Sequence, residues 1–386
     1  MKQFIKPDRI GAELVRLFSS KILPFKGWLR TFIPFVLIAL ILSITSTAQA
    51  AWYDLNWQYR MAITIDGSQV AGGPHVDFPV LISITDTDLS AARADGWDLL
   101  FTNSDETTKL DHEIESFSNG SGVLVAWVRI PAPGITNGSD KTIYLYYGYP
   151  TAADQQNVNG VWNANYQAVW HLKEDPSDTA PQMQDSKSTN HGTSYGTMTA
   201  ADQIPGKING SLDFDGSDDE IRMSNAIIGD SAAFTITAWI QSDDYNVHRT
   251  IYSEGNTTLG GYLNLYIADD LDGPIVKFYS VNPGGDDAEV SGTTNVEDNQ
   301  PHFVALVQRS KTNRELFVDS VSESAGVPNT ENAGTLTHDV AAIGFLRTNW
   351  GADSFTGILD EVRIANVDRS NDWITTEYNN QSSPGT

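Results

Sequence analysis

From Trp52 onward the apolar residues of this chain recur mainly with period two, a pattern that builds sheets and leaves little room for helices. In YRMAITID, Tyr59, Met61, Ile63 and Ile65 share one face, with Arg60, Thr64 and Asp66 on the other. PVLISIT repeats the pattern with Val80, Ile82 and Ile84. VLVAWVRI (Val123–Ile130) and TIYLYY (residues 142–147) are apolar on both faces, as central strands of a sandwich are. Glycine, proline and Asn/Asp clusters break these runs at short intervals. Helical patterning is confined to residues 89–94 and to DWITTEYNNQ, residues 372–381. The expected fold class is all-β.

Residues 1–50 are of another kind. They hold seven basic and two acidic residues, then FIPFVLIALILSI (residues 32–44) and TSTAQA, with Ala48 and Ala50 in an A-x-A arrangement. This reads as a secretory signal peptide cleaved after Ala50. The rival reading is an uncleaved anchor, but 13 residues fall short of the ~20 that span a bilayer. The expected destination is the periplasm, outer surface or exterior of a Gram-negative bacterium, with no membrane insertion of the mature chain. Beyond residue 50 the formal charge is −30 (17 basic, 47 acidic), which disfavours nucleic acid and anionic lipid and leaves cations and neutral glycans as partners. The absence of cysteine excludes disulfides, thiolate chemistry and Cys-ligated zinc.

The polar, strand-poor stretch YGYPTAADQQNVNGVWNAN, residues 147–165, marks a domain boundary. The expected organisation is a β-sandwich over 51–150, a linker over 151–165 and a second β unit over 166–386. The second unit has about ten short strands and no helix between them, which suits a two-sheet jelly roll.

Residues 52 to about 150 carry WQYRMAITID, DFPVLISIT, DGWDLLFTNSD, LDHEIESF, VLVAWVRIP and TIYLYYG in that order. They resemble the bacterial exported domain of unknown function 2341, a resemblance that implies no activity. Residues 166–386 resemble the laminin-G-like, concanavalin A-like jelly-roll superfamily of bacterial surface proteins. The motifs that carry this are AVWHLKED, DSKSTNHGTSYG, SLDFDGSDDEIRM, FTITAWI, HFVALV, LFVD and ILDEVRIANVDRS. This second resemblance implies binding of glycan or surface polymer, often with calcium, and some relatives are glycosidases. The same pair of domains also precedes modules resembling biopolymer-transport channels, which implies a link to such a system as a further alternative.

Several motifs carry candidate chemistry. LDFDGSDDEIRM, residues 212–223, is dense in carboxylates, but counted from Asp213 an EF-hand loop would need Gly where Asp218 stands and Glu where Ser224 stands. The jelly-roll reading puts Leu212, Phe214, Ile221 and Met223 in the core and most of the acids in solvent at a hairpin tip. In GILDEVRI, Ile358, Asp360, Val362 and Ile364 alternate onto one face, leaving a carboxylate on an apolar strip. Such a group needs backbone donors, an Arg or a metal; a bulge or a local hydrogen bond is the alternative. The resemblance implies a structural Ca²⁺ at the sandwich edge, which by position falls on Glu174 or Asp175, Asp185 and Asp360. Hard oxygen ligands suit calcium, not zinc.

Asp111, Glu113 and Glu115 share a face in LDHEIES without the carboxylate spacing of laminarinase-type hydrolases, and a solvated strand face is expected there. His112-Glu113 lacks the second His of a zinc signature, because Ser116 stands in its place. GTSYG, residues 192–196, matches a nucleophile elbow only by coincidence, being a polar loop in an all-β unit. Trp127, Trp170 and Trp239 are expected in the core. Trp350 with Asn349, in RTNWGADS, and Tyr245, in QSDDYNVHR, lie in polar loops, where an aromatic either stacks on a sugar or folds back onto the sandwich.

The reading is an exported, non-catalytic protein whose second domain binds glycan or cell-envelope polymer. The alternatives are a calcium-stabilised polysaccharide hydrolase and an envelope assembly component that binds a protein partner.

Overall fold

The computed structural model describes residues 52–243, 248–270, 273–323, 333–348 and 353–384. Its first unit is a sandwich of two antiparallel sheets. One has four strands, in the order Tyr59–Ile65, Lys141–Tyr147, Leu100–Asn103 and Lys109–Leu110; the other has three, in the order Phe78–Thr85, Val123–Ile130 and His112–Ser118. Met61, Val80, Ile82, Leu124, Ala126, Ile143 and Leu145 meet between them, so the period-two faces turn inward as their pattern requires. The doubly apolar strands bury both faces. Behind Val123–Ile130, Val125 and Trp127 pack on the second unit, and behind Lys141–Tyr147, Tyr144 and Tyr146 are covered by Trp52, Tyr53 and Trp57. Residues 89–94 overlap a short 3₁₀ turn, Thr87–Ala91, capped by Asp86.

The second unit is a two-sheet jelly roll. An eight-stranded sheet runs Gln203–Pro205, Gly210–Asp215, Thr356–Ala365, Phe234–Gln241, His302–Ser310, Asn313–Val318 and Val321–Ser322, with Tyr166–Trp170 also paired to Thr356–Ala365. A seven-stranded sheet runs Asp287–Asn295, Gly273–Val281, Tyr262–Asp270, His248–Gly255, Val340–Ile343, Glu220–Met223 and Thr193–Tyr195. Leu212, Phe214, Ile221 and Met223 all enter the core between these sheets. The hairpin expected at residues 215–220 is not one: Gly210–Asp215 and Glu220–Met223 belong to opposite sheets, and the turn crosses from one to the other. Two strands that feed one core from opposite sides alternate just as a hairpin does.

Residues 151–165 pack as a strap along the first unit. Asn157 N–H donates to His112 O at 3.0 Å and Ile114 N–H to Gln156 Oε1 at 2.6 Å, which covers the edge strand His112–Ser118. Val161 and Trp162, both fully buried, join Trp127, Tyr166, Val169 and Ile208 in a cluster at the seam between the units.

The helix Asn371–Ser382, capped by the Ser370 hydroxyl, closes the assembly. Trp373 packs on Phe78 of the first unit with ring centroids 4.7 Å apart, and Tyr378 stacks on Trp239 of the jelly roll at 6.0 Å. The Asn380 amide accepts from Leu81 N–H at 2.7 Å and donates to Leu81 O at 3.0 Å, taking the place of a neighbouring strand. Trp239 Nε1–H donates to Gln381 Oε1 at 2.6 Å. Residues of both units and of this helix therefore share one hydrophobic cluster. We expect Trp373→Ala to destabilise the protein by about 3–5 kcal/mol, and calorimetry to show both units unfolding in one transition before and after the change.

Candidate functional site

The jelly roll has two outer faces, and the first unit covers one of them. On the eight-stranded sheet Trp239, Phe303, Ala305, Val307 and Phe317 point away from the jelly-roll core into the cluster shared with the first unit and the helix. The outer face of the seven-stranded sheet faces away from the seam. Pairing registers set a row across it: Thr193, Arg222, Ala342, Ser253, Asn264, Tyr279 and Glu289. Its middle residues are small or short, and a loop lies over them: Ser253 Oγ donates to Phe345 O at 2.7 Å, and a Cβ on Gly255 would sit 1.7 Å from Arg347 O.

Aromatic and charged groups stand on both sides of that loop. On one side Tyr195 is 44% exposed, with the Arg222 guanidinium 3.7 Å from its ring centroid. Glu220 holds this Arg222 (Nη2 at 2.8 Å) and Arg347 (Nη1 at 3.0 Å). On the other side Tyr262 and Tyr279 lie with ring centroids 5.7 Å apart, and the Tyr279 hydroxyl donates to Asp287 at 2.8 Å. Aromatic faces beside fixed polar groups form a surface that can hold a sugar by stacking and hydrogen bonds. Tyr245, Asn349 and Trp350 lie outside the described residues. The described residues next to their segments meet at this sheet: His248 Nδ1 is 3.7 Å from Asp353 Oδ2, and the His248 ring stands edge-on to Tyr266.

The crossover after Phe214 gathers Asp215, Asp218 and Asp219 with carboxylate oxygens within 4.8 Å of one another. Asp215 and Asp218 are exposed, as expected for the acids there. Asp219 is buried and accepts from Asp215 N–H at 3.0 Å.

The three positions implied for calcium are not drawn together. Asp185 is consumed locally, accepting from the N–H groups of Val169, Lys187, Thr189 and Asn190 at 2.9–3.1 Å, which shapes its loop. Glu174 is half-buried with Oε2 unpartnered. Asp360 is buried but does not share a face with Val362 and Ile364. Registers show Glu361 and Val362 together opposite Ala238, a bulge with Glu361 at φ +54°. Leu359, Val362 and Ile364 therefore face the jelly-roll core, while Asp360 turns to the seam and accepts from Ile208 N–H at 2.9 Å. Burial and the neighbouring Glu361 hold its carboxyl well above the usual range.

The face of LDHEIES is likewise not solvated. Asp111 is paired with Arg129, but Glu113 and Glu115 are buried at the seam, around His171. The Trp162 indole N–H donates to Glu113 Oε2 at 2.7 Å and Ser186 Oγ–H to Oε1 at 2.8 Å. Burial alone would raise the Glu113 carboxyl, but His171 and these two donors bring it down to about 2. His171 Nδ1 lies 2.7 Å from Glu361 Oε1 and 3.1 Å from Glu115 Oε2. Arg363 binds Glu361 (2.6 Å) and Glu377 (3.0 Å) and stacks over Trp127 at 4.2 Å. The charged residues inside AVWHLKED and LDEVRI were the sequence signal for this cluster.

Two family models match the chain. Residues 95–180 match the sequence model of a domain of unknown function, DUF2341, and residues 215–375 that of the concanavalin A-like lectin/glucanases superfamily. The chain thus carries the two in the expected order, and the first match runs through the strap into the jelly roll's opening strand. Among solved structures, domain 4 of the extracellular arabinanase AbnA of Geobacillus stearothermophilus, in complex with arabinotriose, is similar at 18% identity and a TM-score of 0.43, over 55% of this chain and 98% of that one. The CBM40 of the Ruminococcus gnavus IT-sialidase, bound to α2,3-sialyllactose, is similar at 14% identity and a TM-score of 0.37, over 43% and 95%. The binding domain of botulinum neurotoxin DC, in complex with rat synaptotagmin II, is similar at 11% identity and a TM-score of 0.42, over 57% and 52%. No curated protein matches in sequence.

Glu113→Ala would leave the Trp162 and Ser186 donors buried and unpaired. It should cost about 3–5 kcal/mol in denaturant unfolding, as loss of one member of a buried ion pair does.

Proposed function

We infer that the chain is an exported binding protein that recognises glycan or cell-envelope polymer on the outer face of its seven-stranded sheet, without cleaving it. The observation that carries this reading is the asymmetry of the jelly roll. One sheet is capped by the first unit and the helix Asn371–Ser382, and the other presents Tyr195, Arg222, Tyr262 and Tyr279 outward. Export rests on the basic, apolar and A-x-A segments of residues 1–50. Among the described residues no helix is long and apolar enough to cross a membrane. The surplus of acidic residues supports a neutral polymer over nucleic acid or anionic lipid.

The test is retention of the protein on a panel of insoluble polysaccharides and peptidoglycan, in calcium and then in chelator, with soluble sugar followed in the same wells. Retention without release is expected, and Tyr195→Ala should weaken it about 5- to 30-fold, the loss of one stacking contact worth roughly 1–2 kcal/mol. Sugar release would replace this reading with a hydrolase. No retention on any surface would sink the glycan assignment and leave a protein partner. Loss of retention in chelator that added calcium, and not zinc, restores would make a calcium ion part of the binding unit.

A further inference from the structure

The seam holds more negative charge than its basic groups balance. Five carboxylates, those of Glu113, Glu115, Asp360, Glu361 and Glu377, are each at most 7% exposed. Four basic side chains stand among them: Arg363, Lys173, His171, and Arg369, which lines one small cavity with Arg363 and Glu377. Isolated buried charge is expensive, so the surplus has to be met by protons or by another cation. Glu115 Oε2, Asp360 Oδ1 and His171 Nε2 are all buried without a hydrogen-bond partner.

We propose that Glu115, His171 and Glu361 form a structural site for one zinc-class divalent ion, which joins the first unit to the jelly roll. The three donor atoms lie within 4.8 Å of one another, on three separate elements: the strand His112–Ser118, the residue after Tyr166–Trp170, and the bulge in Thr356–Ala365. The outer oxygen of each carboxylate is already held. Lys173 Nζ is 3.2 Å from Glu115 Oε1, and Arg363 Nη2 is 2.6 Å from Glu361 Oε2, leaving Glu115 Oε2 and Glu361 Oε1 turned to His171 Nδ1. Anchoring of the ligand side chains by neighbouring groups is what orients a metal site.

Size and donor type select the ion. Zinc ligands at 2.0–2.1 Å in tetrahedral array stand ~3.3 Å apart, close to the 3.1 and 2.7 Å between His171 Nδ1 and the two carboxylates. Calcium takes six to eight oxygens at 2.3–2.6 Å and has no use for an imidazole.

The full-length, tag-free protein, purified without chelator, should carry about one equivalent of zinc by elemental analysis. After unfolding in chelator and refolding it should take up one equivalent of added Zn²⁺, with a rise in melting temperature. Glu115→Gln and Glu361→Gln, which keep the side-chain shape, should fold with the same far-ultraviolet spectrum and bind less than about a tenth as much. Wild-type protein that is metal-free as purified and takes up no added zinc overturns the proposal. So does zinc that survives both glutamine variants, or that is lost instead in Asp219→Asn, which would place it at the surface crossover.

Discussion

The bulge at Glu361 is the local event on which the joining of the two units depends. An uninterrupted strand would send Asp360 toward the core with Val362 and Ile364, where a carboxylate has no partner. One extra residue, set at positive φ, reverses the faces. The aliphatic residues fill the core, and Asp360, Glu361 and Arg363 face the seam. A non-glycine residue in that conformation costs of order 1 kcal/mol or more, and the charge-assisted bonds of Glu361 to His171 and Arg363 offset it.

The strands were legible because alternation reports burial directly. Met61, Val80, Leu212, Phe214, Ile221 and Met223 are inside as their spacing requires, and the helix lies where Ile374 and Tyr378 suggested. What alternation does not carry is the identity of the partner. It could not separate a hairpin from a crossover at residues 215–220, since both feed the same core. Nor could it tell a solvated polar face from one buried against another unit, which is why Glu113 and Glu115 read as surface residues. The implied calcium positions lie apart for a related reason: Asp185 accepts from three amides of its own loop and from Val169 N–H of the strand Tyr166–Trp170, and a bulge redirects Asp360. Both depend on backbone geometry that residue type does not announce. The outward row from Thr193 to Glu289 needed register between strands far apart in sequence.

The seam also decides which surface is left for recognition. Capping the eight-stranded sheet removes one face from solvent and makes the first unit a rigid base for the other. The strap of residues 151–165 reinforces this by covering the edge strand His112–Ser118 and delivering Trp162 to the seam, so the boundary between the units is itself a packed element. An unbroken apolar contact of this kind resists the hinge motion that separate domains usually retain.

The helix Asn371–Ser382 follows every strand of both units in chain order, yet it supplies Trp373 to one and the partner of Trp239 to the other. A chain delivered from its amino terminus can pair its sheets early. It cannot complete the cluster the units share until residue 382 has emerged. Until then Phe78, Trp239 and Phe303 lack their cover, so the molecule passes through an interval in which it is nearly built, sticky and open to chaperones. The joining of the two units is timed by the helix Asn371–Ser382.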